Sequence, residues 1–196
     1  YNIIITSVDN VNREEEVIQN LLRKQVDGVI YLSNELSQSA KDTFIRTKTP
    51  VVLAGTIDQH SAMPSVNIDF KQAVKDSVKL LAEHGKKNIG LVLGNGDADL
   101  NQIIRIPAFK EALADSGLNF VPENIFVNNY SYDDSYNGFD KIKNANIDGV
   151  ITSRDLSAAG IINAAREAGI NIPEDLEVIT TQNTVITKIT RPSITS

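Results

Sequence analysis

The feature that most constrains this chain is an end-to-end alternation of short, apolar, β-branched runs with segments of helical spacing. The runs are Tyr1–Ser7, Val26–Leu32, Pro50–Gly55, Asn88–Gly94, Ile125–Val127, Ile147–Thr152 and Leu176–Thr180. Most stay apolar over three to five consecutive residues, the pattern of strands buried on both faces of a parallel sheet. Between them, Val74, Ser77, Val78 and Leu81 fall at i, i+3, i+4 and i+7, as do Ala158, Ile161, Ile162 and Ala165. Gly85 and Gly169 follow as helix stops. Such alternation predicts an α/β fold of doubly wound parallel sheets with right-handed crossovers.

One string is repeated: Val26-Asp-Gly-Val-Ile30 returns as Ile147-Asp-Gly-Val-Ile151. Asp-Gly ahead of an apolar run is a common turn-and-strand device, and the repeat also fits two similar lobes, each with its own sheet. The polar stretch Asp58–Pro64 separates the third run from Ser65–Asp69, which puts a lobe boundary near 68–70. Thr184–Ser196 carries no helical stripe and is expected to end extended, because Pro192 forces Arg191 out of the helical region.

Composition removes several function classes. With 41% apolar and 22% charged residues the chain is globular rather than disordered. Its longest apolar run, Val51–Ile57, is interrupted by Gly55 and Thr56 and falls far short of the roughly 18 to 20 residues of a membrane span. Without cysteine there is no disulfide, zinc–thiolate site or thiol nucleophile. A net charge of −6 does not suit nucleic-acid binding by bulk charge, and Lys86-Lys87 is the one lysine pair. The first residue is Tyr1 and the single methionine is Met63, so a piece of a longer protein is expected.

Ligands of open α/β sheets bind outside the carboxyl ends of the strands, and the segments there are strongly polar. They supply the candidate ligand residues Ser7, Asp9, Ser33, Thr56, Asn95, Asn129, Arg154, Asp155 and Gln182. If two lobes face each other, these loops line one cleft, although surface loops are polar in most proteins. Arg105 joins the set. It precedes Pro107, which requires a helix to begin or kink nearby, and an arginine at such an entry can form bidentate bonds to a ligand, or simply be solvated. Asp155 opens the helix around Ala158 and is a natural N-cap.

Other constellations fail on chemistry. In Gly94-Asn-Gly-Asp-Ala-Asp99 the third glycine of a dinucleotide fingerprint is replaced by Asp99, and no Gly-Lys-Ser/Thr follows. His60 lies in a turn, and His84 ends a helix, where a cation suits the dipole. Glu14-Glu-Glu16 and Asp133-Asp134 sit where helices open. No Gly-x-Ser-x-Gly or His-Glu-x-x-His is present. No catalytic residue, metal site or cofactor is therefore expected, and the chain is not read as an enzyme.

Five strings together resemble the effector-binding core of LacI/GalR-family transcription regulators: Lys24-Gln-Val-Asp-Gly-Val-Ile30, Thr49-Pro-Val-Val-Leu53, Pro64-Ser-Val-Asn-Ile-Asp69, Asn171-Ile-Pro-Glu-Asp-Leu-Glu-Val-Ile179 and Arg191-Pro-Ser-Ile-Thr-Ser196. The likeness runs in register along essentially the whole chain. It implies a two-lobed, periplasmic-binding-protein-like (type I) fold, with an N-terminal lobe over 1–68 lacking its first β-α unit. A C-terminal lobe would cover 69–188, and 189–196 would begin a crossover back. It further implies a cytoplasmic homodimer that reaches operator DNA through a headpiece ahead of Tyr1 and signals by reorienting its lobes. Its effector would be a sugar or sugar phosphate.

The resemblance carries over to the binding residues only in part. The family's cleft arginine, three residues before Gly-aromatic, falls at Arg105, but the next two positions of that motif are Ala108 and Phe109. A Thr-Asp pair becomes Arg154-Asp155, and the sugar-gripping aspartate becomes Gln182, followed by Asn183. An amide cannot accept hydrogen bonds at both ends, so sugar hydroxyls are held less well. Family members that run carbon catabolite control answer mainly to serine-phosphorylated HPr, for which a weakened sugar site is consistent. Their phosphoserine-binding arginine is replaced by Ala168, with Arg166 nearby as the candidate on that flank. The other reading of this fold is a solute receptor for sugar uptake, for which Tyr130, Tyr132 and Tyr136 are the candidate stacking residues.

Overall fold

The structure is a computed structural model that describes residues 2–8, 13–32, 36–55, 63–97, 100–129 and 131–196. The chain divides into two compact units, Tyr1–Ile68 and Asp69–Ser196.

In the first unit, α1 (Glu14–Arg23), β1 (Val29–Leu32), α2 (Gln38–Thr47), β2 (Val51–Ala54) and the two-residue β3 (Ser65–Val66) follow in order. The sheet is parallel, ordered β1-β2-β3. Acidic residues fill the first turn of α1, as its position at a positive dipole end favours, but Glu14 is also buried and accepts a hydrogen bond from the Tyr31 hydroxyl. Ser37 caps α2 by accepting the Ala40 N–H at 3.1 Å. Ile18, Ala40, Phe44, Val51, Leu53 and Met63 make the core under the two helices. Strand alternation puts Ile30, Leu32, Val52 and Val66 on the opposite face, where they are exposed.

Asn2–Val8 differs from its strand-like sequence. It has no assigned secondary structure, and Ile3 and Ile5 are 85% and 91% exposed. A β-branched run becomes a strand only where a neighbour supplies backbone partners, and none of the described ladders includes this segment.

In the second unit, α3 (Phe70–Glu83), β4 (Ile89–Gly94), α4 (Ile106–Asp115), β5 (Ile125–Asn128), α5 (Tyr132–Asn137), α6 (Phe139–Asn144), β6 (Gly149–Thr152), α7 (Asp155–Glu167), β7 (Glu177–Thr180) and α8 (Val185–Ile189) follow in order. The all-parallel sheet is ordered β5-β4-β6-β7. Every residue of β4, β6 and β7 is buried, which explains their apolar or small side chains; the exception is Glu177, which opens β7 and meets His84. One face packs against Val74, Val78 and Leu81 of α3 and Phe109 and Leu113 of α4; the other packs against Ile142, Ile161, Ile162 and Ala165. Each fully buried Leu, Ile or Phe contributes about 1.5–3 kcal/mol.

The helix ends follow the sequence closely. Asp69 caps α3 by accepting the Gln72 N–H at 2.9 Å. Gly85 and Gly169 terminate α3 and α7 with φ of +83° and +76°, values that favour glycine. The repeated Asp-Gly-Val strings open β1 and β6, one in each sheet. In the second copy the Asp148 carboxylate accepts the N–H groups of Lys87 and Asn88 and ties the entries of β4 and β6 together.

The tail departs from the fully extended reading. Thr184 caps the short helix α8, accepting the Ile186 N–H at 3.3 Å. Beyond it, Thr195 runs parallel beside Ile179, the Thr180 N–H donates to the Thr195 carbonyl at 3.0 Å, and Ile194 enters the second core.

Candidate functional site

In the second unit the strand order reverses around β4: β5 lies on one side, β6 and β7 on the other. That reversal makes the carboxyl ends of β4 and β6 the switch point at which open α/β sheets bind ligands. The loops there are built by four neighbouring strand ends.

After β4, a π-helical turn over Asn101–Arg105 leads straight into α4, and Pro107, which has no N–H to donate back into that turn, follows the junction. This turn returns Asn101 to the strand end, where its Nδ2 donates to the Gly94 carbonyl at 2.8 Å. Asn101 Oδ1 in turn accepts from Arg105 Nη1 at 2.9 Å. The guanidinium also lies 4.5 Å from the centroid of the Phe70 ring, a cation–π distance. Arg105 is only 3% exposed, so the solvated alternative is excluded.

Asn95, after β4, donates through Nδ2 to Asn129 Oδ1, after β5, at 3.0 Å. The Asn129 N–H donates to Asp134, whose own N–H is capped by Ser131. After β6, the Thr152 hydroxyl donates to the Arg154 carbonyl, and the Ser153 N–H donates to the Val92 carbonyl.

Asp155 does not cap its own helix. It is 1% exposed, and its carboxylate accepts the Thr180 hydroxyl at 2.9 Å and the Thr184 N–H at 2.7 Å. It therefore fastens the loop after β7 to the start of α7. The capping is exchanged: Gln182 Oε1, from that loop, accepts the Asp155 N–H at 3.3 Å.

The structure thus joins Asn95 to Asn129 and Asp155 to Gln182, with Arg154 beside Asp155 and Arg105 seated at the end of β4. Ser7 is exposed in the first unit. Asp9, Ser33 and Thr56 lie outside the described residues, as do His60 and Tyr130. Arg166 is exposed on α7 and donates to the Arg191 carbonyl at 3.0 Å. Phe70, Asn101, Thr180 and Thr184 were not among the candidates. Only Asn101 left a sequence signal, its i, i+4 spacing to Arg105.

Away from these loops, His84 Nδ1 lies 2.8 Å from Glu177 Oε1, so it serves a side-chain pair as well as the end of α3. Tyr132 and Tyr136 stack on each other at 5.8 Å. Their hydroxyls meet Asn163 and Glu167 of α7, and hydrogen bonding to Glu167 raises the Tyr136 pKa. These rings pack on α7. Among the described residues no group of three or more acidic or histidine side chains could hold a metal, and no helix is long and apolar enough to cross a membrane.

Residues 78–196 match the model of the periplasmic binding protein-like domain. The chain belongs to that family. Along its whole length the domain is 46% identical to the HTH-type transcriptional regulator pepR1 of Lactobacillus delbrueckii subsp. lactis and 39% identical to catabolite control protein A of Streptococcus mutans. It spans 59% of the length of each. The crystal structure of the transcription regulator CcpA of Lactococcus lactis superposes with a TM-score of 0.87 at 34% identity, covering 99% of this domain and 72% of that chain. The expected periplasmic-binding-protein-like fold and the resemblance to LacI-family regulators are both borne out.

Proposed function

We propose that this domain is the effector-binding and dimerisation core of a bacterial LacI/GalR-type transcription regulator serving carbon catabolite control. The observation that carries the reading is the end-to-end match to transcription regulators, at 46% and 39% identity, of a domain with a polar switch-point site. The intact protein would work in the cytoplasm and reach operator DNA through a headpiece in the part that this chain does not span. It acts by binding, without catalysis. Asn95, Arg105, Asn129, Arg154 and Gln182 are its candidate effector contacts in the second unit, with a sugar or sugar phosphate as ligand.

Two surfaces support the partner assignments. On α8, Val185 and Ile189 lie one turn apart and are 67% and 64% exposed, and Leu156 at the start of α7 is 47% exposed. Exposed apolar side chains of this kind suit a homodimer contact. Arg166, exposed on α7, is the candidate contact for the phosphoserine of HPr. The solute-receptor reading loses support because Tyr132 and Tyr136 are engaged with each other and with α7.

Titration calorimetry of the intact protein with serine-phosphorylated HPr tests the reading. Binding is expected. No binding, together with tight binding of a small sugar, would end the carbon-catabolite assignment and leave the family membership intact.

A further inference from the structure

We propose that Asn95 is a site of spontaneous, backbone-assisted deamidation, through which the loop after β4 exchanges a side-chain amide for a carboxylate as the protein ages. The chemistry needs no ligand, so it stands or falls independently of the effector-binding reading.

The sequence holds two Asn-Gly pairs, Asn95-Gly96 and Asn137-Gly138. Glycine carries no side chain to shield its nitrogen and leaves the backbone free to bring that nitrogen toward the preceding side chain. In the step itself the glycine nitrogen attacks the asparagine Cγ. An N–Cγ bond forms, the Cγ–Nδ2 bond breaks, and the displaced NH2 group takes up the proton lost from the attacking nitrogen and leaves as ammonia. Water then opens the cyclic imide at either carbonyl, giving aspartate or isoaspartate.

The fold treats the two pairs differently. Asn137 ends α5, and Gly138 joins it to α6 with its N–H donating to the Asp134 carbonyl at 2.9 Å and its own carbonyl accepting from the Lys141 N–H at 3.1 Å. A Cβ on Gly138 would lie 2.8 Å from the Asp134 carbonyl oxygen, which shows how closely the backbone is packed there. To reach Cγ, this nitrogen must leave helical structure on both sides. Asn95 and Gly96 are instead exposed in a single 3₁₀ turn, Asn95–Asp97, directly after β4. Hydrogen bonds of such short turns are poorly aligned, and exposed loops of this kind open locally at low cost. Among the described residues the Asn95 side chain makes one hydrogen bond, the exposed one from Nδ2 to Asn129 Oδ1 at 3.0 Å, and the Gly96 N–H donates to no other loop or element.

That one bond is what the reaction removes. A carboxylate at position 95 can only accept, so it faces Asn129 Oδ1 acceptor to acceptor, and isoaspartate also adds a methylene to the main chain where it leaves β4. Either product unfastens the ends of β4 and β5 from each other.

The test incubates the intact protein at neutral pH, native and in urea, and follows by peptide mass spectrometry the mass gain of NH2 becoming OH at each pair, with protein isoaspartate methyltransferase labelling the isoaspartate. In the native protein Asn95 is expected to convert about tenfold faster than Asn137, the factor given by one or two additional hydrogen bonds to be opened at the α5–α6 junction. In urea the two rates should converge, because both asparagines precede glycine. Asn137 converting as fast as Asn95 in the native protein would overturn the proposal. A gap of the same size in urea would also overturn it, since the difference would then lie in flanking sequence rather than in the fold. So would an Asn95 that stays intact in the native protein while both pairs convert in urea.

Discussion

Asp155 offers the sharpest quantitative test of how the candidate site is held. Its buried carboxylate joins two elements, accepting the Thr180 hydroxyl of β7 and the Thr184 N–H that opens α8. Asp155→Ala removes both acceptors. The Thr184 N–H can be rehydrated only in part, and each polar group left unsatisfied costs about 1–3 kcal/mol, so a loss of about 3 kcal/mol is expected. Asp155→Asn behaves differently. Its oxygen can still accept the Thr184 N–H, and its NH2 can donate to Thr180 Oγ1 once that hydroxyl rotates. What is lost is mainly the charge assistance, about 1 kcal/mol. Urea unfolding followed by circular dichroism gives the two values, and amide exchange at Thr184 reports the bond locally. Asp155→Ala unfolding within about 0.5 kcal/mol of the parent, or Asp155→Asn proving as damaging as Asp155→Ala, would refute this account of the loop.

Other substitutions probe separate steps of the argument. A Cβ at Gly160 would lie 2.5 Å from the Tyr132 carbonyl oxygen and 3.0 Å from the Tyr136 nitrogen, both backbone atoms. Gly160→Ala should therefore cost about 2 kcal/mol net, overpacking of about 3 exceeding the roughly 1 gained in helix propensity, and equal or higher stability in urea would contradict the close approach of α5 and α7. Asp175 has its pKa lowered because its carboxylate accepts the backbone and side-chain N–H groups of Asn171. Its stabilising effect is present above the unfolded-state pKa and fades as pH falls through the lowered folded value; the stability gap to Asp175→Asn should shrink on acidification, and a gap independent of pH would count against it. Ile189→Glu in the intact protein should shift sedimentation from dimer toward monomer, whereas an unchanged dimer would remove α8 from the interface.

Strands β4, β6 and β7 are readable in the sequence because burial on both faces demands continuous apolar runs, as in Ile89–Leu93, whereas β1 and β2 are equally apolar in sequence but leave Ile30, Leu32 and Val52 exposed. The same logic misleads at Asn2–Val8, where the residues suit a strand but no described ladder includes them. Helix α8 escapes notice for a different reason: five residues are too few to show a stripe of period 3.6. At the candidate site, residue types and loop positions were legible, while partnerships were not. Arg105 lies against the Phe70 ring, distant in sequence, and Asp155 looks like an N-cap until Thr180 and Thr184 are brought to it. Which end of Gln182 faces outward depends on a helix terminus that only the folded chain places beside it.

The most direct test of the central claim is operator binding by the intact protein, measured by fluorescence anisotropy with and without the ligand found in the calorimetric titrations. The account predicts specific DNA binding by a dimer, with an affinity that changes when the ligand is added. A monomeric protein that binds the same ligand, yet shows no specific DNA binding in its presence or absence, would contradict it.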